Sequence, residues 1–287
     1  MTSARRCRSV AIAGAGAGLG RDIALGFAAK GCIVFGTARS AAEAQNLRDA
    51  SGGRVSLGVC DITRADSVEA WAGGVSDALD GAGLDILINN AGTLTPGPLE
   101  VLPLDAIREE FEVNVFGALS LINAFLPALR KARGRIVQIS TWTASVPLPF
   151  NGPSSASKAA IEVLSAVYRA ELKPFSIDVV VVPVGKMTSG GPATTAAALA
   201  RTSGGMTPKQ RELYGKRFAT FAERLKTLQA TGIKPSAAAA RIIEIAEQHP
   251  APSRAAVGPD AAEMLHAARE KSDAELDALG LRLAGLY

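Results

Sequence analysis

The chain has 287 residues, 48% hydrophobic and 20% charged, with a formal net charge of +4. That length suits one large domain with a sizeable core, the composition excludes a disordered chain, and so small a charge gives no reason to expect nucleic acid. Three cysteines (Cys7, Cys32, Cys60) form no C-x-x-C pair and read as reduced thiols. His249 and His266 lie far apart without neighbouring thiols, so no metal site is expected. No uninterrupted apolar run approaches the roughly 20 residues of a membrane span, and a cytoplasmic location without membrane contact follows by default. The opening MTSARRCRSVAIAGAGAG imitates a signal peptide, but its apolar patch runs straight into a glycine-rich loop and reads as strand and loop. Arg5-Arg6-Arg8 and Arg130-Lys131-Arg133-Arg135 read as solvated tail and helix C-terminal charge.

In chain order, a strand Val10 to Ala13 meets Gly14, Gly16, Gly18 and Gly20, then an amphipathic helix LGRDIALGFAAKG stopped by Gly31. A dinucleotide pyrophosphate needs this arrangement: small residues admit the backbone closely, and the helix N-terminus offers free N–H groups. The second strand, Cys32 to Thr37, is followed by Arg39 and has no acidic residue at its end for a ribose 2′-hydroxyl. Arg39 is suited to a 2′-phosphate, which favours NADP(H) over NAD; a solvated loop arginine is the plain alternative. A helix near Ala41 to Ala50, strand Arg54 to Val59, Asp61-Ile62, helix Ala65 to Leu79 and strand Leu84 to Ile88 lead to Asn89-Asn90-Ala91-Gly92.

Helical patterns cover Leu104 to Val115 and Phe116 to Lys131, with Asn114 as a kink candidate between them. Strand Ile136 to Ile139 opens into Ser140, Thr141 and a proline-punctuated loop, then helix Ser155 to Lys173 carrying Lys158. Strand Ile177 to Val182 precedes Pro183-Val184-Gly185-Lys186-Met187-Thr188. Ser189 to Gly205 shows no core pattern, while Pro208 to Gln229 and Ala237 to Gln248 read as helices, Arg254 to Val257 as a last strand, and Asp260 onward as terminal helices. Alternating αβ units with continuous apolar strands predict an α/β fold: one doubly wound, Rossmann-like parallel sheet with right-handed connections, in a single domain. Ligand belongs beyond the carboxyl ends of its strands.

These motifs, in this order up to about Gly258, resemble the classical short-chain dehydrogenases/reductases. The resemblance implies cofactor contacts from Gly14, Gly16, Gly18, Leu19 and Gly20, with Ala13 where threonine is usual and Ala17 where some NADP-binding relatives carry a basic residue. It implies that Asp61 bonds the adenine amino group, that Ile62 packs on the ring, and that Asn90, Ala91 and Gly92 line the cofactor. Thr188 would bond the nicotinamide carboxamide after Pro183, with Val184 in place of a glycine. The Asn114 backbone would hold a water touching the catalytic lysine, Lys158, which also holds the ribose. Thr141, or Ser140 as the close alternative, would orient the substrate oxygen. The loop Pro149-Phe150-Asn151 and the length point toward the branch containing hydroxysteroid and retinol dehydrogenases. The region 189–231 corresponds to a substrate lid.

One departure governs the chemistry. The family signature is Tyr-x-x-x-Lys, and four residues before Lys158 stands Ser154. An aliphatic hydroxyl is far less acidic than a phenol and lacks its reach. The expectation is an NADP(H)-dependent oxidoreductase with an altered catalytic acid, acting on a hydrophobic carbonyl, alcohol or conjugated alkene. Its proton would come from Thr141 and water, from Lys158, from Tyr214 in the lid, or from solvent. Tyr168 lies too far along its helix and reads as packing. The alternatives are a catalytically silent NADP-binding protein, a non-redox enzyme on the same scaffold, and an engineered Tyr→Ser variant. The resemblance further implies a homo-dimer or homo-tetramer joined through Phe116 to Lys131 and Ser155 to Lys173, with burial in one large core as the alternative.

Overall fold

The computed structural model describes residues 8–188 and 192–287; Arg5, Arg6, Cys7 and the first residues of the expected lid, from Ser189, lie outside them. Strands β1 (Ser9–Ala13), β2 (Ile33–Ala38), β3 (Val55–Val59), β4 (Ile86–Asn89), β5 (Arg135–Thr141) and β6 (Asp178–Val184) form one parallel sheet in the order β3-β2-β1-β4-β5-β6. Strand side chains alternate between faces, so each rung of the register feeds one layer. Phe35, Ala11, Leu87, Ile136 and Val179 stand side by side across five strands and enter one core. The next rung, with Ile12, Ile88, Val137 and Val180, enters the other. Both faces are therefore covered, which is why the strands read as unbroken apolar runs.

Helices α1 (Gly18–Ala29) and α2 (Ala41–Ala50) cover the second of these cores, with α10 (Pro235–Glu247) packed on α1. The first is covered by α3 (Ala65–Ala78) and α5 (Ala118–Ala132), where Trp71 meets Phe125 edge-on at 5.0 Å, and by α6 (Gly152–Glu171) beyond them. The two helical patterns expected on either side of Val115 are one continuous run. It comprises α4 (Leu104–Phe111), a π-helical turn Glu112–Gly117, and α5. By length and composition this run is apolar enough to cross a membrane, with half of its most apolar window buried inside the domain, as in a core helix. The remaining helices are α7 (Pro192–Gly205), α8 (Pro208–Gln210), α9 (Lys216–Ala230), α11 (Pro259–Glu270) and α12 (Asp273–Leu283).

Three expectations need correction. Arg254 to Val257 is not a strand but two isolated bridges, Val181 with Arg254 and Val184 with Val257. The flanking bonds form normally: Val181 N–H donates to Ser253 O, Ala255 N–H to Val181 O and Val257 N–H to Pro183 O. Pro183 has no N–H for the next rung, so the ladder breaks in its middle. The patternless stretch after Ser189 contains α7, whose described side chains bury a narrow strip (Thr195, Ala198, Leu199), too little for an apolar period to show among alanine, threonine and glycine. Arg135, read as one of a solvated cluster, is 4% exposed. It donates to the carbonyls of Ile245, Ala246 and Gln248 at the end of α10 and pairs with Asp178 at 2.9 Å. The unpaired carbonyls of a helix C-terminus are a natural seat for a cation.

Candidate functional site

The sheet order reverses between β1 and β4, whose carboxyl ends lie side by side. The glycine loop leaves β1 here. Gly14 (φ +74°) and Gly18 (φ +55°) adopt left-handed backbone that a side chain would strain. A Cβ on Gly20 would collide with the Gly14 carbonyl and stand 2.5 Å from Asn90 Nδ2. Leu19 is buried beneath the loop. From β4, Asn90 Nδ2 donates to Gly14 O at 3.1 Å, and Thr37 Oγ1 accepts the Gly14 N–H at 2.8 Å. Ala91 packs directly against Gly14. Helix α1 starts at Ala17, which caps nothing, and its first turn holds no acidic residue. Uncapped N–H groups at the end of a helix, behind a loop bare of side chains, fit a dinucleotide pyrophosphate.

Beyond β2, Arg39 has 88% of its side chain exposed, while Glu43, on the first turn of α2, leans back over the loop. Glu43 Oε2 accepts the Arg39 N–H at 3.1 Å, and its Oε1 lies 3.4 Å from the Arg39 guanidinium. A Cβ on Gly16 would stand 2.7 Å from Glu43 Oε2. A carboxylate absent from the end of β2 is thus brought to the loop by Glu43, five residues after that strand ends. Asp61 is exposed after β3, and bonds from the Thr63 hydroxyl (2.7 Å) and N–H (3.0 Å) hold its carboxyl below the usual range. Ile62 is only 8% exposed and packs against Gly117 of the π turn.

Toward the other end of the crevice, Gly92 touches two elements at once. A Cβ there would lie 3.1 Å from Asn114 Oδ1 and 3.4 Å from Lys158 Nζ. Asn114 is 1% exposed, and its side chain bonds both ways to Thr93, accepting from its N–H (2.9 Å) and donating to its carbonyl (3.0 Å). It donates further to Ser157 Oγ (3.0 Å) and Glu110 Oε1 (3.3 Å). The π turn carries this residue inward, so Asn114 is both a helix irregularity and a clamp on the loop after β4. Lys158, partly buried, donates to the Ile139 carbonyl at 3.2 Å. Burial pushes its ammonium down to about 8, against the pull of Glu110 and Glu162.

Ser154 lies one turn before Lys158, within α6, and its carbonyl accepts from Ser157 Oγ at 3.2 Å. Among the described residues nothing bonds to its hydroxyl. Ser140 is 4% exposed with an unpartnered Oγ, whereas Thr141 is half-buried at the end of β5, Oγ1 accepting from Thr143. Thr141 is the more accessible of the two. Pro183 sits in β6 and pairs with Ser140; Thr188 is exposed, its N–H bonded to Ile233 O. Tyr214 donates its phenol to Glu100, which pushes its pKa upward. Tyr168 donates to Asn123 and packs against the core.

A cavity of about 370 Å³ is lined by Thr93, Leu94, Leu102, Ala106 and Glu110 and by α7 residues including Arg201. Glu110 and Glu43 are the residues that the sequence reading missed. Glu110 had a signal, since it stands four before Asn114 and so shares its helical face.

A family model described as short chain dehydrogenase matches residues 8–198. The chain is 32% identical over 252 residues to the 3-ketodihydrosphingosine reductase of Bacteroides thetaiotaomicron, covering 87% of each chain. It is 29% identical over 242 residues to the NADPH-dependent 3-dehydrocapnine reductase of Ornithobacterium rhinotracheale, covering 83% of each. A short chain dehydrogenase from Burkholderia cenocepacia, crystallised with NADP, superposes with a TM-score of 0.71 at 26% identity, over 96% of this chain and 97% of that one.

Proposed function

This chain belongs to the short-chain dehydrogenase family and is an oxidoreductase of that type, and we propose that it transfers hydride between NADP(H) and a hydrophobic carbonyl, alcohol or conjugated alkene with an altered catalytic acid. The observation that carries this reading is Lys158, poised on the Ile139 carbonyl beside Asn114 and Gly92, with a cavity lined from the next residue of the chain, Thr93. The named relatives are reductases, which supports the same direction.

When bound, the nicotinamide supplies the hydride. The chain's own residues do the rest. Gly14, Gly18 and the uncapped turn of α1 hold the pyrophosphate, braced by Asn90. Thr141 orients the substrate oxygen. Lys158, still protonated at neutral pH, provides the positive charge and the proton that the oxygen needs as hydride arrives. Ser154, standing where the family carries tyrosine, donates at most through a chain of hydroxyls or water. The segment 189–231, with α7 along the cavity, acts as the lid.

Glu43 favours a second reading of the cofactor. A carboxylate over the glycine loop suits a free ribose 2′-hydroxyl and repels a 2′-phosphate, which Arg39 would attract. Titrating NADPH and NADH separately by nucleotide fluorescence decides between them. Tighter NADPH binding supports the Arg39 reading, and tighter NADH binding replaces it with the Glu43 one. Turnover is tested by following NADPH oxidation with hydrophobic ketones and enones, and absence of oxidation with both classes would remove the oxidoreductase assignment of substrate.

A further inference from the structure

A second cavity, also of about 370 Å³, is lined by Ser145, Arg254, Leu265, Ala268 and Arg269. It forms where three elements meet: the turn after β5, the bridged segment beside β6, and the last turns of α11. An apolar cluster of Trp142, Val146, Ala261 and Met264 holds the first and the last of these together. None of the lining residues belongs to the glycine loop or to the cavity at Thr93, and the hydride chemistry uses none of them.

Both charged side chains lining it are guanidiniums. Arg254 is held by Glu162, a carboxylate with 6% of its side chain exposed, whose Oε2 lies 2.6 Å from Arg254 Nη2. Among the described residues the other two nitrogens of Arg254 have no partner, the Arg269 side chain is in no ion pair or hydrogen bond, and nothing bonds to the Ser145 hydroxyl. A third guanidinium stands close to Arg254: Arg169 donates to Val179 O at 2.8 Å and to Ser253 O at 2.9 Å. Burial and then the like charge of Arg254 hold it below the usual arginine range. Three cations thus gather around one carboxylate, and that carboxylate is already committed to Arg254. A hollow lined by one sign of charge concentrates ions of the other sign, and the planar fork of a guanidinium matches the oxygens of a carboxylate or phosphate.

We propose that this cavity is a binding site for a phosphate group, carried by a molecule whose apolar part lies on Leu265 and Ala268. Arg254, oriented in advance by Glu162, and Arg269 each offer a fork to the phosphate oxygens, and Ser145 donates its hydroxyl. One fork satisfies a carboxylate; two converging forks and a hydroxyl suit a dianion with three free oxygens. Such a ligand ties the turn after β5, which Thr141 opens, to α11 through charged bonds as well as apolar packing. The site stands independently of the redox reading, since it shares no residue with the crevice.

The test is calorimetric titration of the full chain with inorganic phosphate and with glycerol phosphate, at constant ionic strength, in the unmodified protein and in Arg269→Ala. Arg269 is exposed and holds no partner, so its loss spares the fold, whereas Arg254→Ala would strand the buried Glu162. Phosphate taken by the glycine loop is the same in both proteins, so the difference between them reports this cavity alone. The expected result is a loss of affinity of about 10- to 100-fold in Arg269→Ala, the scale of a charged hydrogen bond, with partial recovery in Arg269→Lys. Ser145→Ala, on a different element, should weaken binding by a smaller factor. Equal phosphate binding in the unmodified protein and Arg269→Ala overturns the proposal. Co-sedimentation with phosphatidylcholine vesicles, with and without phosphatidic acid, distinguishes the source. Retention that needs phosphatidic acid and is lost in Arg269→Ala assigns the phosphate to a lipid headgroup, and binding of glycerol phosphate without such retention assigns it to a soluble ester.

Discussion

The N-termini of α1 and α6 open on the same edge of the sheet and are built by opposite means. At α1 the working groups are backbone: glycines that admit no side chain, an uncapped first turn, and a loop pinned by Asn90 and Thr37. At α6 they are side chains: Lys158 on the Ile139 carbonyl, Ser154 a turn earlier, and Thr141 opposite. Backbone geometry is fixed by packing and tolerates little change. A side-chain site changes its chemistry with one substitution while its frame stays in place. A chain of this family can therefore keep its cofactor cradle while its acid is altered.

The sharpest contrast between the two ends comes from Lys158→Ala, which removes the only proposed charge at α6. Turnover should fall roughly 10²–10⁴-fold while NADPH binding by fluorescence changes much less. Equal losses in both would merge the two regions into one. Gly20→Ala reverses the experiment. Forcing a methyl group against Gly14 and Asn90 should weaken nucleotide binding roughly 10- to 100-fold, the cost of overpacking expressed as affinity. Unchanged affinity would mean that the loop does not meet the pyrophosphate.

Proton delivery can be read from pH alone. Lys158 is charged below about 8, so carbonyl reduction should fall as pH rises past that value, and a rate still climbing at pH 9 would exclude its ammonium as the donor. Stability at Glu110 also falls as pH rises. Its folded pKa is raised, so its favourable contribution is complete at acid pH and is lost as pH rises through about 7. Glu110→Gln should thus raise Tm relative to the unmodified protein at pH 9 and gain nothing near pH 4.5. The smallest effect belongs to the adenosine end: Arg39→Ala should narrow a preference for NADPH several-fold, on the order of 1 kcal/mol for an exposed charged contact.

Much of this was legible in the sequence for local reasons. The strands are buried on both faces and so read as apolar runs, and the glycine loop and Asn89-Asn90-Ala91-Gly92 follow strands directly. What escaped depends on packing between distant elements. Glu43 reaches the loop only because α2 packs back against β2 and β3. Arg135 looks like any arginine beside Arg133 until the end of α10 is laid against it. The bridge segment Arg254 to Val257 reads as a strand because its own residues suit one, and fails because of a proline in its partner, Pro183.

The most direct measurement compares the protein as it stands with Ser154→Tyr, following single-turnover NADPH oxidation with hydrophobic ketones. The proposal of a complete cofactor site with an altered acid predicts equal NADPH affinity in both and a hydride-transfer rate roughly 10²–10⁴-fold faster with the phenol restored. Equal or slower transfer in Ser154→Tyr, with the nucleotide bound, would show that Ser154 belongs to a different chemistry and would contradict it.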